Sequence, residues 1–539
     1  MTDAILVILF LAQPLGISKI TVLFAPIIMI WLGTNAIYGI YNLVLYDASV
    51  FKAFYPYYAF DFLVRHGESG WRQLGGVLLA FTGVEALFAD LGAFSAAAIR
   101  ISWLGYTFPC LIFAYVGQAA HISVHPQAYQ NPFFLSAPPH TIVWNLIIAI
   151  LAAIVASQAI ITATFQLLAQ CCKLSYFPGL KIVHTSKKFH GQLYIPLANW
   201  LLMIGTILVA SIYNNTTRLG NAYGVCVMFV TFFDTCMVSL VAIFIWRFSP
   251  WLVFLPWLTI ACVDGTFLSS ALTKVPDGAW FTLALAAILC AIFLLWRYGK
   301  EAQWFAEAED RFPTSHLIKQ TGVDLSLTEK FGGSPVNRSR GAILFFDKAG
   351  QFCAPVFSNF AAKLTMVPEV IVFFHIRPLE RPEVLPEDRY TISRLAMPGA
   401  YRIVLRTGYN DDVVSNDLAS NCYEQLKLYL LQEKDARRPS IHRPIDANEK
   451  RSDVVAADEV HQSTQDKIAQ ELATLDRAFD HNVLYVLGKE SMKIKKGTSY
   501  IRKTLLSLFL WMRENCRNKM ENLNIHPEKL VEIGFLKEI

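Results

Sequence analysis

Charge is what this 539-residue sequence has least of: Asp, Glu, Lys and Arg make up 17% of it, against 54% apolar residues. Soluble globular chains carry about 25% charged residues, so this balance argues against an ordinary soluble protein. Mean hydropathy is +0.39. The little charge present is unevenly placed. Up to about Arg297 the chain is a series of long apolar runs, and beyond Lys300 it becomes rich in Lys, Arg, Asp and Glu. Residues 1–300 therefore read as a membrane region and 301–539 as a soluble tail. The net charge of +5 is small and lies mostly in loops, which points to membrane topology and not to nucleic-acid binding.

Other absences narrow the function. The ten cysteines contain no C-x-x-C pair, so neither a disulfide framework nor a zinc site is read. Cys171 and Cys172 end an apolar run and read as packing, with palmitoylation as the alternative. Met1-Thr2-Asp3 lacks the basic start and small-residue cleavage site of a signal peptide. His121, His184 and His190 show no partner at metal-ligand spacing and read as interfacial or loop histidines. Neither a phosphate loop nor a nucleophile–base pair is found, so the chain is not read as an enzyme.

What is present is a ladder of apolar runs. A helix needs about 20 apolar residues to cross the hydrocarbon core. Such runs fall near 20–45, 73–92, 99–122, 141–168, 194–213, 221–247, 252–272 and 278–296, and a shorter one at 4–12. About nine spans are expected. With the tail in the cytoplasm, Lys19, Arg100, Lys173, Lys181, Lys187, Lys188, Arg247, Arg297 and Lys300 lie inside. Lys52, Arg65, Arg72, Arg218 and Lys274 then lie outside, as the positive-inside rule favours.

One run is chemically unusual. Between Gly75 and Gly92 a glycine, Gly83, and a glutamate, Glu85, fall near mid-membrane. A charge there costs about 2.5–3.5 kcal/mol even on the lenient insertion scale. A mid-helix glycine adds about 1 kcal/mol relative to alanine. Together they predict a break in the helix, whose freed carbonyls and hydroxyls can replace the hydration shell of a small cation. Thr82 offers oxygens, and Glu85 a carboxylate or a proton; a protonated Glu85 bonded to a neighbouring helix is the alternative. Asp90 lies nearer the interface, where a helix-end or salt-bridge role competes. Gly220-Asn221-Ala222-Tyr223-Gly224 is a second candidate, with Asn221 and Tyr223 either lining a path or packing helices. Asp234 and Asp264 are further intramembrane carboxylates, suited to a proton path or to simple pairing.

These residues carry a family resemblance. Phe81-Thr82-Gly83-Val84-Glu85-Ala86-Leu87-Phe88-Ala89-Asp90-Leu91-Gly92 resembles the T-G-x-E-A-x-x-A-D-x-G segment of KUP/HAK/KT potassium transporters. Tyr115-Val116-Gly117-Gln118-Ala119-Ala120, Ala156-Ser157-Gln158-Ala159-Ile160-Ile161, Lys181-Ile182-Val183-His184-Thr185-Ser186 and Gly220–Gly224 resemble it in the same order. Lys274-Val275-Pro276-Asp277-Gly278-Ala279-Trp280-Phe281 resembles the fungal HAK branch.

The resemblance implies an all-α polytopic core of the amino-acid/polyamine/organocation type, with inverted repeats and broken first and sixth spans. Residues 73–92 would be the sixth. It implies K+ uptake coupled to H+ symport at the plasma membrane, with K+ at Thr82 and Glu85. Asn221, Tyr223 and Asp90 would assist, the bilayer would be the partner, and no prosthetic group is needed. A homodimer is compatible with this reading. The family's G-D-I-G-T-S-P-L-Y segment and the acidic residues of its third span do not occur here. The chain is accordingly expected to begin near the family's fourth span, lacking its first three or so, and to be inactive as it stands. Two alternatives remain: a non-transporting fragment or regulatory partner, and a transporter of the same fold for another small substrate.

In the tail, 341–346, 370–374, 401–405 and 482–487 are short apolar runs with β-branched and aromatic residues, hence strands. Residues 420–431, 464–479 and 502–518 read as helices. The charged, proline-containing stretch 433–463 reads as disordered. A small α/β domain is expected.

Overall fold

The computed structural model describes residues 2–15, 18–77, 95–186, 192–213, 215–309, 312–321, 324–346, 352–411, 418–436, 451–516 and 527–539. The chain divides into two compact units, Met1–Leu294 and Leu295–Ile539.

The first unit is helical. Its main elements are α1 (Thr2–Ala12), α2 (Ser18–Leu45), α3 (Tyr57–Val77), α4 (Ala96–Val124), α5 (Ile142–Lys173), α6 (Pro196–Ile212), α7 (Thr216–Phe244), α8 (Pro250–Leu272) and the first half of α9 (Trp280–Glu309), whose residues from Leu295 on belong to the second unit. Among the described residues six helices are long and apolar enough to cross a membrane: Phe24–Leu45, Ala96–Val124, Ile142–Lys173, Thr216–Phe244, Pro250–Leu272 and Val275–Glu309. Two of the expected runs differ. The run at 194–213 becomes a helix of 17 residues, because Pro196 sets its first turn and Tyr213 leaves helical geometry at its end. Only 73–77 of the run at 73–92 is described, as the end of α3. The last run was read to 296, but with no proline before Pro313 the helix continues to Glu309.

Close packing here depends on small residues. α2 crosses α4 where Gly39 meets Gly117, and a Cβ at either glycine would overlap the backbone of the other helix. Leu32, Ala36 and Cys110 bury the seam on one side, and Asn42 closes it by donating to the carbonyl of Ser136 at 2.9 Å. Elsewhere α1, α5 and α6 share a core of Phe10, Ile161, Phe165, Ile195 and Ala198. A two-stranded hairpin, β1 (Val183–His184) with β2 (Leu193–Tyr194), adds Tyr194 to that core, edge-on to Phe165.

The second unit is an α/β domain. Its six-stranded sheet runs in the order β10 (Leu530–Glu538), β9 (Val483–Lys493), β5 (Asn337–Phe346), β6 (Met366–Pro378), β8 (Ala400–Thr407), β7 (Tyr390–Arg394). All neighbours are parallel except β7 and β8. The reason lies in the apolar runs: successive side chains point to opposite faces, so an unbroken run suits a strand covered on both sides. Ile343 and Phe345 enter the core beneath α10 (Pro355–Leu364) and the hairpin of β3 (Ile318–Thr321) with β4 (Asp324–Leu327). Ala342, Leu344 and Phe346 enter the opposite core, under α11 (Leu418–Ala436) and α12 (Arg451–His481).

Parts of the stretch 433–463, expected to be disordered, are helical. Residues 433–436 end α11, 451–463 are the first turns of α12, and 437–450 lie outside the described residues. Both prolines of the stretch, Pro439 and Pro444, precede α12, and 451–481 contains neither proline nor glycine. The last helix, α13 (Tyr500–Glu514), packs Phe509 against Trp296 and Gly299 within this unit.

Candidate functional site

Thr82, Glu85 and Asp90 lie outside the described residues, so the site is approached from the turn that leads to them. That turn is firmly held. Gly75 donates its N–H to Ser270 Oγ at 2.9 Å, and Ser270 Oγ donates to the carbonyl of Arg72 at 3.2 Å. Trp71 Nε1 donates to Ser269 Oγ at 3.1 Å. A Cβ on Gly75 would sit 3.1 Å from Lys274 Cε and 3.2 Å from Ser270 Oγ, so only glycine fits without displacing a neighbour. From the other side α7 approaches: Gly224 faces the carbonyl oxygen of Gly75, 3.9 Å from where its own Cβ would be. Three helices, α3, α7 and α8, thus converge on Gly75. Below them Val225, Met228, Ala271 and Ala279 form a buried apolar floor.

The structure separates the two described candidates. Asn221 Nδ2 donates to the carbonyl of Asp277 at 3.4 Å, in the turn between α8 and α9. That turn is bent sharply, with Gly278 at φ 125°, and Tyr213 reaches its carbonyl at 3.4 Å. Tyr223 lies two residues on, about 200° around the helix, and is 40% exposed. The pair does not share one face. Ala222 and Gly224, between and beside them, are the buried positions.

Deeper in the bundle Asp264 is buried and accepts a hydrogen bond from Thr235 Oγ1 at 2.6 Å, joining α8 to α7. Asp234 precedes Thr235 on the same helix. A carboxylate with a hydroxyl donor can hold or release a proton, and it can equally lock two helices together.

Buried amides were missed from sequence. Gln13 Nε2 donates to Gln158 Oε1 at 2.6 Å, and Gln158 Nε2 returns a bond to Gln13 Oε1 at 3.0 Å and reaches Thr162 at 3.2 Å. Asn199 donates to the carbonyl of Phe10 at 3.2 Å, and its Oδ1 is buried with no partner among the described residues. Three helices, α1, α5 and α6, are tied by these groups. The signal was there, since an amide amid an apolar run needs a partner. His121 does have a histidine at i+4: His125 lies at 4.9 Å between ring centroids, and Tyr46 stands edge-on to both, though no group of three possible metal ligands occurs among the described residues. The i, i+4 spacing carried that signal.

Comparison with known proteins agrees with this architecture. The family model described as K+ potassium transporter integral membrane domain matches residues 1–301. The one described as K+ potassium transporter C-terminal domain matches 340–539. Potassium transporter 5 of Manihot esculenta is 32% identical, over 99% of this chain and 71% of its own length. Putative potassium transporter 12 of Arabidopsis thaliana is 33% identical, over 98% of this chain and 67% of its own. Potassium transporter 1 of Arabidopsis thaliana is 32% identical, over 99% and 71%. These relatives are transporters and not enzymes. The chain, a helical membrane unit followed by an α/β domain, belongs to the KUP/HAK family of potassium transporters.

Proposed function

We propose that this chain carries K+ into the cell by secondary active transport coupled to H+, at the plasma membrane, with its α/β domain in the cytoplasm. Family membership supports the cargo. The single observation that supports the location of the site is the convergence of α3, α7 and α8 on Gly75, the anchored turn seven residues before Thr82. A chain held so tightly can then leave helical geometry and present oxygens to a dehydrated cation. In this reading Thr82 and Glu85 bind K+, and Asp90, Asn221 and Tyr223 shape the approach. Glu85 is the proton carrier, and the Asp264–Thr235 contact is a second protonatable point along α7 and α8. The core would be of the inverted-repeat type.

The test is Rb+ uptake in cells lacking their own potassium transporters and expressing this chain. Saturable uptake that rises with external acidity, unaffected by excess amino acid, would support this reading over the expectation of inactivity drawn from the missing first-span segment; no uptake would favour the inactive chain. Glu85→Gln removes a charged ligand worth about 1.5–3 kcal/mol and should lower uptake about tenfold or more while flattening its pH dependence. Unchanged uptake and pH dependence in that variant would remove Glu85 from the mechanism.

A further inference from the structure

The 15-residue helix α13 has two apolar faces, and the fold uses only one. Leu506 and Phe509 are fully buried. Around the rest of the helix Tyr500 is 84% exposed, Ile501 72% and Trp511 65%, with Leu505 and Leu508 exposed between them. Ile501, Leu505 and Leu508 follow the i, i+4, i+7 spacing of one stripe, so the exposed residues form a continuous edge. A soluble domain rarely leaves such a patch without an occupant.

Charge identifies the occupant. Lys493, Lys495, Lys496, Arg502 and Lys503 are all exposed, and no acidic residue interrupts 493–503. Two acids lie near: Glu490 faces Arg513 at 3.6 Å, and Glu538 is the register neighbour of Lys493 across β10 and β9. An amphipathic helix with Trp and Leu on one side and a basic cluster beside it has the composition of an interfacial, anionic-lipid-binding element.

Its attachment points the same way. Phe509 packs against Trp296 with the rings tilted at 57° and 5.2 Å between centroids, and its ring fills the space where Gly299 lacks a side chain. Trp296 and Gly299 lie on α9, which carries the last candidate span. Trp296 ends the apolar run, and Arg297 is the first charge after it, which is where an interface belongs. A second copy docking here in two-fold symmetry would bring two identical sets of five cations into one interface, which like-charge repulsion opposes.

We propose that α13 and the basic turn before it form a binding surface for anionic lipid headgroups, with Ile501, Leu508 and Trp511 entering the headgroup–acyl boundary. The full chain is reconstituted in nanodiscs of phosphatidylserine with phosphatidylcholine. A photo-crosslinking p-benzoylphenylalanine replaces Ile501, Trp511 or, as control, the exposed Glu424 of α11. Mass spectrometry then separates lipid adducts from chain–chain adducts. Lipid adducts at positions 501 and 511, absent at 424, are expected. Each basic residue near an anionic surface is worth about fivefold in partitioning, so Lys496→Gln should lower adduct yield by up to that factor. This surface substitution leaves the buried face untouched. Phosphatidylcholine alone should lower the yield as well. Chain–chain adducts from 501 or 511 would overturn the proposal in favour of a dimer contact. Lipid adducts no more frequent than at 424, or indifferent to lipid charge, would overturn it outright.

Discussion

The N–H of Gly75 is bonded to the hydroxyl of Ser270 at 2.9 Å, and Ser270 is completely buried. One hydroxyl therefore satisfies both a donor and an acceptor of the last described turn of α3, since it also donates to Arg72. Water cannot substitute easily at such a point. The pair fixes where the chain stands as it leaves α3 toward Thr82 and Glu85.

Ser270→Ala tests that role. It removes the bonds from the Gly75 N–H and to the Arg72 carbonyl, each worth about 0.5–1.5 kcal/mol net. A lower melting temperature in detergent is expected, together with reduced Rb+ uptake. Gly75→Leu should be worse, because its side chain must displace Lys274 and Ser270 together. A melting temperature and uptake equal to the parent in Ser270→Ala would show that this bond positions nothing.

Gly39→Leu and Gly117→Leu form a second test. Each Cβ would occupy backbone of the facing helix, so α2 and α4 must separate to admit it. Overpacking costs about 1–3 kcal/mol when neighbours can shift, and here the neighbour is backbone, so the upper end or beyond is expected. Loss of folded protein on size-exclusion chromatography is the readout. Gly105→Leu, which meets nothing within 4 Å, is the control and should be tolerated.

The fates of particular residues show what sequence could and could not carry. Gly341–Phe346 was legible as a strand because six consecutive apolar or small residues suit a position covered on both faces, as β5 is. Leu530–Glu538 was not, because an edge strand alternates weakly: half its residues face solvent, and Glu532 and Lys537 interrupt the pattern. Two helices run past the bounds expected of them, to Glu309 and from Arg451, through charged residues that carry no apolar signal. In the site, Gly220–Gly224 was legible as a place of close approach, since small residues announce it. That Asn221 turns to the Asp277 carbonyl while Tyr223 lies elsewhere on the helix was not, because it depends on a turn 56 residues away. That Gln13 and Gln158 each need a partner was legible, but which partner was not, because the two stand 145 residues apart.

That pair offers a third prediction. Gln158→Leu leaves Gln13 buried with its main partner gone, and Gln13→Leu does the reverse. Each single change should cost about 1–3 kcal/mol. The double leucine variant removes both polar groups, so its loss should fall short of the sum by about 0.5–3 kcal/mol. Thermal denaturation of the four proteins closes the cycle. Additive losses would mean that the two amides act independently despite their contact.

The α/β domain supplies a pH test in which the sign can be worked out. Burial pushes the Tyr401 phenol above its ordinary value, and the nearby Glu471 carboxylate adds to this, partly offset by Arg394. Its hydroxyl donates to Glu471 Oε2 at 3.2 Å, and Arg394 pairs with the same oxygen at 2.7 Å. A folded-state value above the unfolded one means the native state holds the proton more tightly. The associated stability is fully present below about pH 10, the unfolded value, and is lost as pH rises through the folded one. Tyr401→Phe should cost about 0.5–1.5 kcal/mol near neutrality for the lost hydrogen bond. It should also lose less stability than the parent between neutrality and about pH 11, because one proton no longer needs holding. Lysines, Lys427 among them, lose charge in the same range, but they do so in both proteins and cancel in the difference. Denaturant midpoints at both pH values, read by near-ultraviolet circular dichroism, give the comparison. Parallel pH profiles for the parent and Tyr401→Phe would show that this phenol titrates alike in the folded and unfolded chains.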